Sequence, residues 1–396
     1  MKLLAFAQSL ADATDWKIVF GEQECLHSLD KYSTCEACYE VCPVEAIEPG
    51  KPPTFDEAAC HYCRACLTAC PMGAFVYTGI ETVEALLNAV DASDTPVIEL
   101  LCELNPNYEQ GTPGATAGIR VRGCLAGIGA GGYLALACHG LERMIARTEA
   151  CPGCPWQSLQ PRVVDQVEQA KRLLESWGRP DALSYALPKG DDKLKKRPFW
   201  NAESPPVSRR ALFRRGLGAS DGEPGDSPDL GNVGGQYRFR ERLRLLRAVK
   251  ELSTISSGDY LSTSLDGFGF ALITVSDECT ACGTCARACP TGAFEFELSS
   301  TSFSLKFIPE LCIGCGICDR VCAPKAITID TAPDFGQVFG RNGDNVLQQG
   351  GLIRCERCGT PFASRAAKRL CRVCEFRQKN PFGSMMPPGL PAKSRS

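Results

Sequence analysis

Between residues 79 and 187 the apolar positions fall into short blocks whose spacing alternates along the chain. Val83 to Val90 repeats at intervals of three and four, which puts its apolar side chains on one face of a helix. Val97 to Leu101, apolar apart from Glu99, reads as extended, as does Ile119 to Arg122. Tyr133 to Cys138 then reads as helical, Met144 to Arg147 as extended, Val163 to Trp177 as helical and Ala182 to Leu187 as extended. Strands alternating with helices predict a parallel sheet covered by helices, so 79–187 is expected to be a small α/β domain.

From 188 to 257 the character changes to Pro, Gly, Ser and charge, with Pro198, Pro205, Pro206, Pro224 and Pro228 interrupting any long element. This stretch predicts a linker. Inside it, Tyr237 to Leu252 carries Leu243, Leu246, Val249 and Leu252 near helical spacing, interleaved with Arg238, Arg240, Arg242, Arg244 and Arg247. Residues 188–257 hold 15 basic and 9 acidic groups, whereas 1–80 hold 5 and 11. Two readings follow: one amphipathic helix packed on the body, or a basic segment docked on an acidic module or partner in a salt-sensitive way.

The whole chain, 396 residues with 43 basic and 46 acidic side chains, has room for two to four domains and lacks the positive surface of a nucleic-acid binder. Its longest uncharged apolar runs, Leu3 to Ala7 and Tyr133 to Ala137, fall far short of the roughly 18 residues a membrane helix requires. Met1 to Ala7 has the flavour of an export leader, but Asp12 and Asp15 follow closely and no cleavage pattern is present. Ser208 to Phe213 resembles a twin-arginine export motif, yet no apolar stretch follows it and it lies deep in the chain. A cytoplasmic protein is expected.

Cysteine changes the picture most: 25 residues, gathered in clumps. Clumped Cys-x-x-Cys spacing in a chain of this length points to metal in a reducing compartment, not to a disulfide framework. The pattern also repeats. Cys25, Cys35, Cys38 and Cys42-Pro43 are followed by Cys60, Cys63, Cys66 and Cys70-Pro71; later come Cys279, Cys282, Cys285 and Cys289-Pro290, then Cys312, Cys315, Cys318 and Cys322. A Cys-x2-Cys-x2-Cys loop can wrap three corners of a cubane cluster while a fourth thiolate arrives from elsewhere, a pattern that suits iron–sulfur better than zinc.

These motifs, as in Cys279-Thr-Ala-Cys282-Gly-Thr-Cys285-Ala-Arg-Ala-Cys289-Pro290-Thr-Gly-Ala, resemble the bacterial-type 2x(4Fe-4S) ferredoxins. The resemblance implies a crossed ligand pattern, in which the Cys-Pro cysteine of each motif serves the other motif's cluster. Four 4Fe-4S clusters follow: Cys25, Cys35, Cys38 and Cys70; Cys60, Cys63, Cys66 and Cys42; Cys279, Cys282, Cys285 and Cys322; and Cys312, Cys315, Cys318 and Cys289. Two departures stand out. Nine residues separate Cys25 from Cys35 where the family has two, so Cys25 has to return through a longer loop, and Cys322 is followed by Ala323-Pro324. His61 reads as a solvent-facing or supporting residue and not a ligand.

In the α/β domain Cys102, Cys124, and Cys151 with Cys154 each follow a predicted strand, at the carboxyl edge where open α/β sheets place ligands. Leu-Leu-Cys102, Arg-Gly-Cys124-Leu-Ala-Gly and Cys151-Pro-Gly-Cys154-Pro resemble the iron–sulfur delta subunit of methyl-viologen-reducing hydrogenase, the partner of heterodisulfide reductase. That resemblance implies a 2Fe-2S site on these four cysteines and a relay between larger subunits; the plain alternative is four unligated cysteines in an ordinary core. Cys138 reads as a buried apolar residue. Gly127-Ile-Gly129-Ala-Gly-Gly132 also fits the G-x-G-x-x-G of a flavin or nicotinamide site, although the glycines equally suit a tight turn, and only Glu149 stands near the place of the usual ribose-binding acid.

Finally, Cys355, Cys358, Cys371 and Cys374 bracket twelve residues and resemble a small zinc ribbon, with rubredoxin-type iron the rival. The expected fold class is a multidomain α+β chain: a dicluster ferredoxin module over 1–78, the α/β domain over 79–187, the linker over 188–257, a second dicluster module over 258–335, a zinc-ribbon-like knuckle over 350–378 and a disordered tail over 379–396. The expected role is a non-catalytic electron-transfer subunit with redox protein partners, in a hydrogenase- or heterodisulfide-reductase-like or other complex of anaerobic metabolism. A catalytic reductase using a Cys151/Cys154 dithiol or a cofactor at Gly127–Gly132 is the competing class, and a scaffold with purely structural metals a third.

Overall fold

The computed structural model describes residues 16–93, 95–112, 114–186, 195–204, 239–255, 260–340, 345–363 and 368–380. They form two compact units, one ending at Tyr260 and the other beginning at Leu261. The leader-like start, the motif at 208–213 and nearly all of the tail expected to be disordered lie outside the described residues. No helix among the described residues is long and apolar enough to cross a membrane.

In the first unit, β1 (Ile18–Phe20) pairs antiparallel with β2 (Phe75–Tyr77), closing the first cysteine-rich segment at its ends. Phe20 stacks on Phe75 at 4.8 Å between ring centroids, and Phe55 meets Phe75 edge-on. These rings supply the apolar floor under a segment of loops and short elements, among them the helices Leu26–Leu29, Ala37–Glu40 and Ala65–Ala69.

The predicted α/β alternation is present. After α1 (Thr82–Ser93) come β3 (Val97–Leu101), β4 (Ala117–Arg120), α2 (Ala130–Cys138), β5 (Arg143–Arg147), α3 (Gln160–Ser176) and β6 (Leu183–Ala186). The expected connecting stretch contributes a short strand, Lys195–Lys196, paired with Gln110–Gly111, and two elements of the domain, β7 (Phe199–Asn201) and α4 (Arg240–Ile255). All five strands run parallel in the order β7-β4-β3-β5-β6. The chain therefore starts in the middle of the sheet and winds both ways, leaving a switch point between β3 and β5 where loops diverge at the carboxyl edge. Ile98, Leu100 and Leu101 of β3 are fully buried, as a central strand covered on both faces requires. Helix α3 buries Val163, Val167, Ala170, Leu173 and Leu174, and α4 buries Leu245, Leu246, Ala248, Val249 and Leu252 against α2. Arg244 on α4 forms an ion pair with Glu81 on the body, so the amphipathic helix uses its apolar stripe and its charge together.

One charged cluster lies inside this sheet. Glu99 on β3 is fully buried and accepts hydrogen bonds from the Thr112 backbone and hydroxyl, from Arg147 at 2.9 Å and from Arg197 at 2.7 Å. Burial alone would raise its pKa, but the Thr112 hydrogen bonds and the two guanidinium groups outweigh it and hold the carboxyl below its usual range.

The second unit pairs β8 (Leu272–Val275) antiparallel with β11 (Ile327–Asp330). A four-stranded antiparallel sheet follows the order β9 (Phe294–Leu298), β10 (Ser302–Phe307), β12 (Val346–Arg354), β13 (Pro361–Ala363). Its core joins Ile273, Phe294, Leu305, Phe307, Leu311 and Ile327. Strand β12 is shared along its length: its first part pairs with β10 of the cysteine-rich module, and Leu352–Arg354 pair with β13. A last helix, α5 (Arg372–Lys379), closes a small cluster of Cys355, Phe362, Cys371 and Cys374.

Because removing one partner of a buried ion pair strands the other, Glu99→Ala should cost about 3–5 kcal/mol. The check is the urea midpoint of the first unit by circular dichroism, where a midpoint unchanged from wild type would contradict the argument.

Candidate metal centres

One backbone turn recurs four times. The third residue after each isolated cysteine has positive φ: Glu45 after Cys42 (55°), Gly73 after Cys70 (66°), Gly292 after Cys289 (69°) and Lys325 after Cys322 (55°). The fourth residue is a buried alanine each time: Ala46, Ala74, Ala293 and Ala326. The left-handed residue swings the next amide back onto the sulfur, and Ala74, Ala293 and Ala326 each donate an N–H to Cys70, Cys289 and Cys322 Sγ at 3.3 Å. Three of the Cys-x2-Cys-x2-Cys loops carry a second signature, positive φ at alternate positions: Tyr62 and Arg64, Ala281 and Gly283, Gly314 and Gly316. Such turns wind the chain around a central body and aim amides inward, which stabilises anionic sulfur.

The thiols fall into four electrostatic neighbourhoods. Burial, then the fields of Cys70, Cys35 and Cys25, pushes Cys38 up to about 12. Burial, then Cys63, Cys60 and Cys42, drives Cys66 well above its ordinary value. In the second unit burial with Cys282, Cys279 and Cys322 lifts Cys285 to about 11, and burial with Cys312, Cys315 and Cys289 lifts Cys318 to about 12. Four buried thiolates repel one another unless a cationic core lies among them, and a coordinated thiol is deprotonated outright. Cys289, Cys312, Cys315 and Cys318 also line one cavity together with the apolar Ile273, Phe294 and Ile329. The residues fit an iron–sulfur core.

The nine residues between Cys25 and Cys35 include a short helix, Leu26–Leu29, and the buried His27 donates Nε2–H to the Cys35 carbonyl at 2.7 Å. That bond staples the ends of the insertion, a role with no signal in the sequence. His61 is exposed. Arg64, inside its loop yet only 1% exposed, donates to Thr82 Oγ1 at 3.0 Å and Glu203 Oε1 at 2.9 Å and lies over the Tyr77 ring.

At the carboxyl edge of the parallel sheet, Cys102 follows β3, Cys124 lies just past β4, and Cys151 and Cys154 follow β5. Cys102 and Cys124 are buried, Cys151 and Cys154 half-buried. Their fields overlap: burial, then Cys102 and Cys154, pushes Cys151 up to about 11, and Cys124 is raised by burial with Cys102, Cys63 and Cys151. Asn105 donates to Glu149 at 3.0 Å and Glu149 pairs with Arg147, so the buried charge cluster ties the Cys102 and Cys151 loops together. Cys138 is half-buried at the end of α2.

The glycine-rich loop is filled from within. Gly132 N donates to the Glu241 carboxylate of α4 at 3.0 Å, and a Cβ on Gly131 would meet the Glu241 carbonyl at 2.6 Å. The helix end that a dinucleotide pyrophosphate would use is occupied by a side chain of this chain.

In the C-terminal module the sulfurs of Cys355, Cys358, Cys371 and Cys374 all lie within 4.8 Å of one another, with Cys358 and Cys371 at 3.7 Å. Metal–sulfur bonds of 2.3 Å in a tetrahedron give edges of roughly 3.8 Å, so this group suits a single ion. Cys371 N donates to Cys355 Sγ at 3.3 Å, and Ala363 N reaches the Thr280 carbonyl in the loop between Cys279 and Cys282.

Comparison with known families agrees with part of this geometry. Residues 278–326 match the 4Fe-4S dicluster domain and residues 53–76 the 4Fe-4S binding domain. The first match spans all eight cysteines of the second module; the second spans Cys60 to Cys70 and stops short of the inserted loop. Both lie outside 79–187. No curated protein matches the chain. The chain thus carries 4Fe-4S ferredoxin-type domains at two places.

Burial pushes Glu241 up to about 7 against the hydrogen bonds of Gly132 and Gly131 and the charge of Arg162. A carboxyl whose folded pKa lies above its unfolded value contributes stability that is whole below the unfolded pKa and is lost as pH rises through the folded one. Between pH 5 and 8 the wild type should therefore lose on the order of 3 kcal/mol more than Glu241→Gln. Parallel urea titrations at the two pH values check this, and equal losses would contradict it.

Proposed function

We propose that the chain is a multi-cluster iron–sulfur electron-transfer subunit that relays electrons between redox partners. Four 4Fe-4S clusters are held by Cys25, Cys35, Cys38 and Cys70; by Cys60, Cys63, Cys66 and Cys42; by Cys279, Cys282, Cys285 and Cys322; and by Cys312, Cys315, Cys318 and Cys289. The observation that carries the reading is the turn repeated after four isolated cysteines, with its amide bonded to the sulfur at three of them, in a chain whose cysteines act on one another in groups of four. Each cluster supplies a reversible one-electron store. The protein holds the sulfurs, keeps water off the buried faces and sets each potential through N–H donors and burial.

Cys102, Cys124, Cys151 and Cys154 hold a fifth centre of the 2Fe-2S type. Support comes from their meeting at the carboxyl edge of the sheet, where the fields of Cys102, Cys124, Cys151 and Cys154 overlap. The filled helix end of α2 speaks against a nucleotide reductase. Zinc in the C-terminal site stabilises a knuckle with almost no core of its own. The setting that suits this inventory is a reducing cytoplasm, with partners in a hydrogenase- or heterodisulfide-reductase-like or other anaerobic oxidoreductase complex.

Anaerobic analysis should find roughly 18 iron, 18 acid-labile sulfide and one zinc per chain. Dithionite should bleach the colour reversibly with reduced-cluster EPR signals. Near 16 iron would remove the middle centre, redox-silent metal would make the protein a scaffold, and a colourless oxygen-protected sample would overturn the proposal.

A further inference from the structure

The loop that carries Cys124 is built directly onto the loop that carries Cys63. Cys124 N donates to the Cys63 carbonyl at 3.2 Å. Gly123, immediately before it, has φ +84°, and a Cβ there would lie 2.8 Å from the Tyr62 carbonyl and 3.3 Å from that of Cys63. One loop therefore lies backbone to backbone on the other, and only glycine permits the approach. The contact is clamped on both sides. Thr68 Oγ1 donates to the Ala126 carbonyl at 2.8 Å, Arg162 donates to Thr68 at 3.2 Å, and Arg64 is held by Thr82 and Glu203. Gly127 repeats the close approach, since a Cβ there would meet Arg64 Cβ at 3.0 Å.

Glycine at the point of closest approach and a side-chain hydrogen bond from Thr68 across to Ala126 make this a packed interface between two cysteine loops. Between Cys63 Sγ and Cys124 Sγ the shortest covalent and hydrogen-bonded route runs through Cys63, its carbonyl, one N–H···O bond and Cys124. Among the described residues Cys35 and Cys38 make no hydrogen bond to the Cys124 loop, whereas the charge of Cys63 acts on Cys124.

Resting on the relay reading above, we infer that the Cys63–Cys124 backbone contact is the electron crossing between the ferredoxin-type module and the α/β domain, so that the cluster of Cys60, Cys63, Cys66 and Cys42 is the one that exchanges with the middle centre. In the crossing one electron leaves the four-iron core, which is oxidised by one charge, and enters the Cys124 centre, which is reduced by one. No covalent bond changes and no proton moves. The first electron comes from dithionite in the experiment below and from a redox partner otherwise.

EPR of the full chain during stepwise dithionite reduction tests this, with iron and sulfide counted on the same sample. The middle-centre signal of the wild type should be split or broadened by the neighbouring reduced cluster. Gly123→Ala places a methyl against the Tyr62 carbonyl, and the splitting should narrow with metal content retained. Gly140→Ala is the control: it has the same backbone strain at φ +85°, open surroundings and a place at the other end of α2, and it should keep the splitting. If Gly123→Ala fails to hold its metal, Thr68→Val removes the clamp on Ala126 without adding bulk to the contact and should weaken the splitting. A wild-type sample with roughly 18 iron and two signals that ignore each other overturns this inference and leaves the relay reading standing. Unaltered splitting in a metal-replete Gly123→Ala also overturns it. Near 16 iron with no middle signal instead sinks the fifth centre, and the crossing with it.

Discussion

Four sulfur anions can share a buried pocket only when positive charge sits among them and amide hydrogens face them, and the local structure of both cysteine-rich modules answers that constraint. Without metal, Cys38, Cys66, Cys285 and Cys318 are each pushed toward the protonated form by burial and by the cysteines of their own group. With a cationic core the same burial becomes an asset, since low dielectric strengthens the attraction between core and thiolate. The left-handed residues at 45, 73, 292 and 325 are the backbone's part of the solution. Two are glycine, where the conformation costs little; Glu45 and Lys325 adopt it at the expense of backbone strain, which is tolerated where the surrounding structure over-determines it.

The α/β domain solves a different problem. Its cysteines come from three loops, and loops at a sheet edge are the most mobile part of such a fold. The buried cluster of Glu99, Arg147, Arg197 and Glu149 lies under that edge, and through Asn105 and Glu149 it links the Cys102 loop to the Cys151 loop. An apolar substitute would pack as well or better, because buried ion pairs add little stability over hydrophobic groups. What the ions add is direction: each guanidinium has a fixed set of acceptors, so the loops above it have a fixed position.

Legibility in the sequence tracked the range of the interaction. β3, β5 and α3 were readable because their apolar spacing is local, and they begin and end within a few residues of the expected positions. β7 was not readable. Phe199-Trp200-Asn201 follows Pro198 in a charged, proline-rich stretch, and its strand character comes from pairing with Gly118–Arg120, which no local pattern records. The clumps of cysteine were plain, and the alanine four residues after each isolated cysteine was present in the sequence to be noticed. His27, Arg64 and Gly123 act through partners distant in the chain or through a carbonyl they happen to face, and residue type alone gives no hint of that.

The glycine-rich loop shows how one local pattern can serve two ends. Glycines at 129, 131 and 132 leave the start of α2 bare, and bare helix amides attract a negative group, whichever negative group arrives. A bound pyrophosphate is one answer; a carboxylate delivered by a neighbouring helix is another. The difference lies in what surrounds the amides. Here the backbone of α4 itself lies against the loop, with Leu245 N at 2.8 Å from the position of a Cβ on Gly131, so the missing side chains make room for a helix and not for a ligand. The apolar stripe of α4 then has a place to go, Arg244 finds Glu81, and Glu241 is carried to the amides as a consequence of that docking. The motif thus belongs to the packing of the domain.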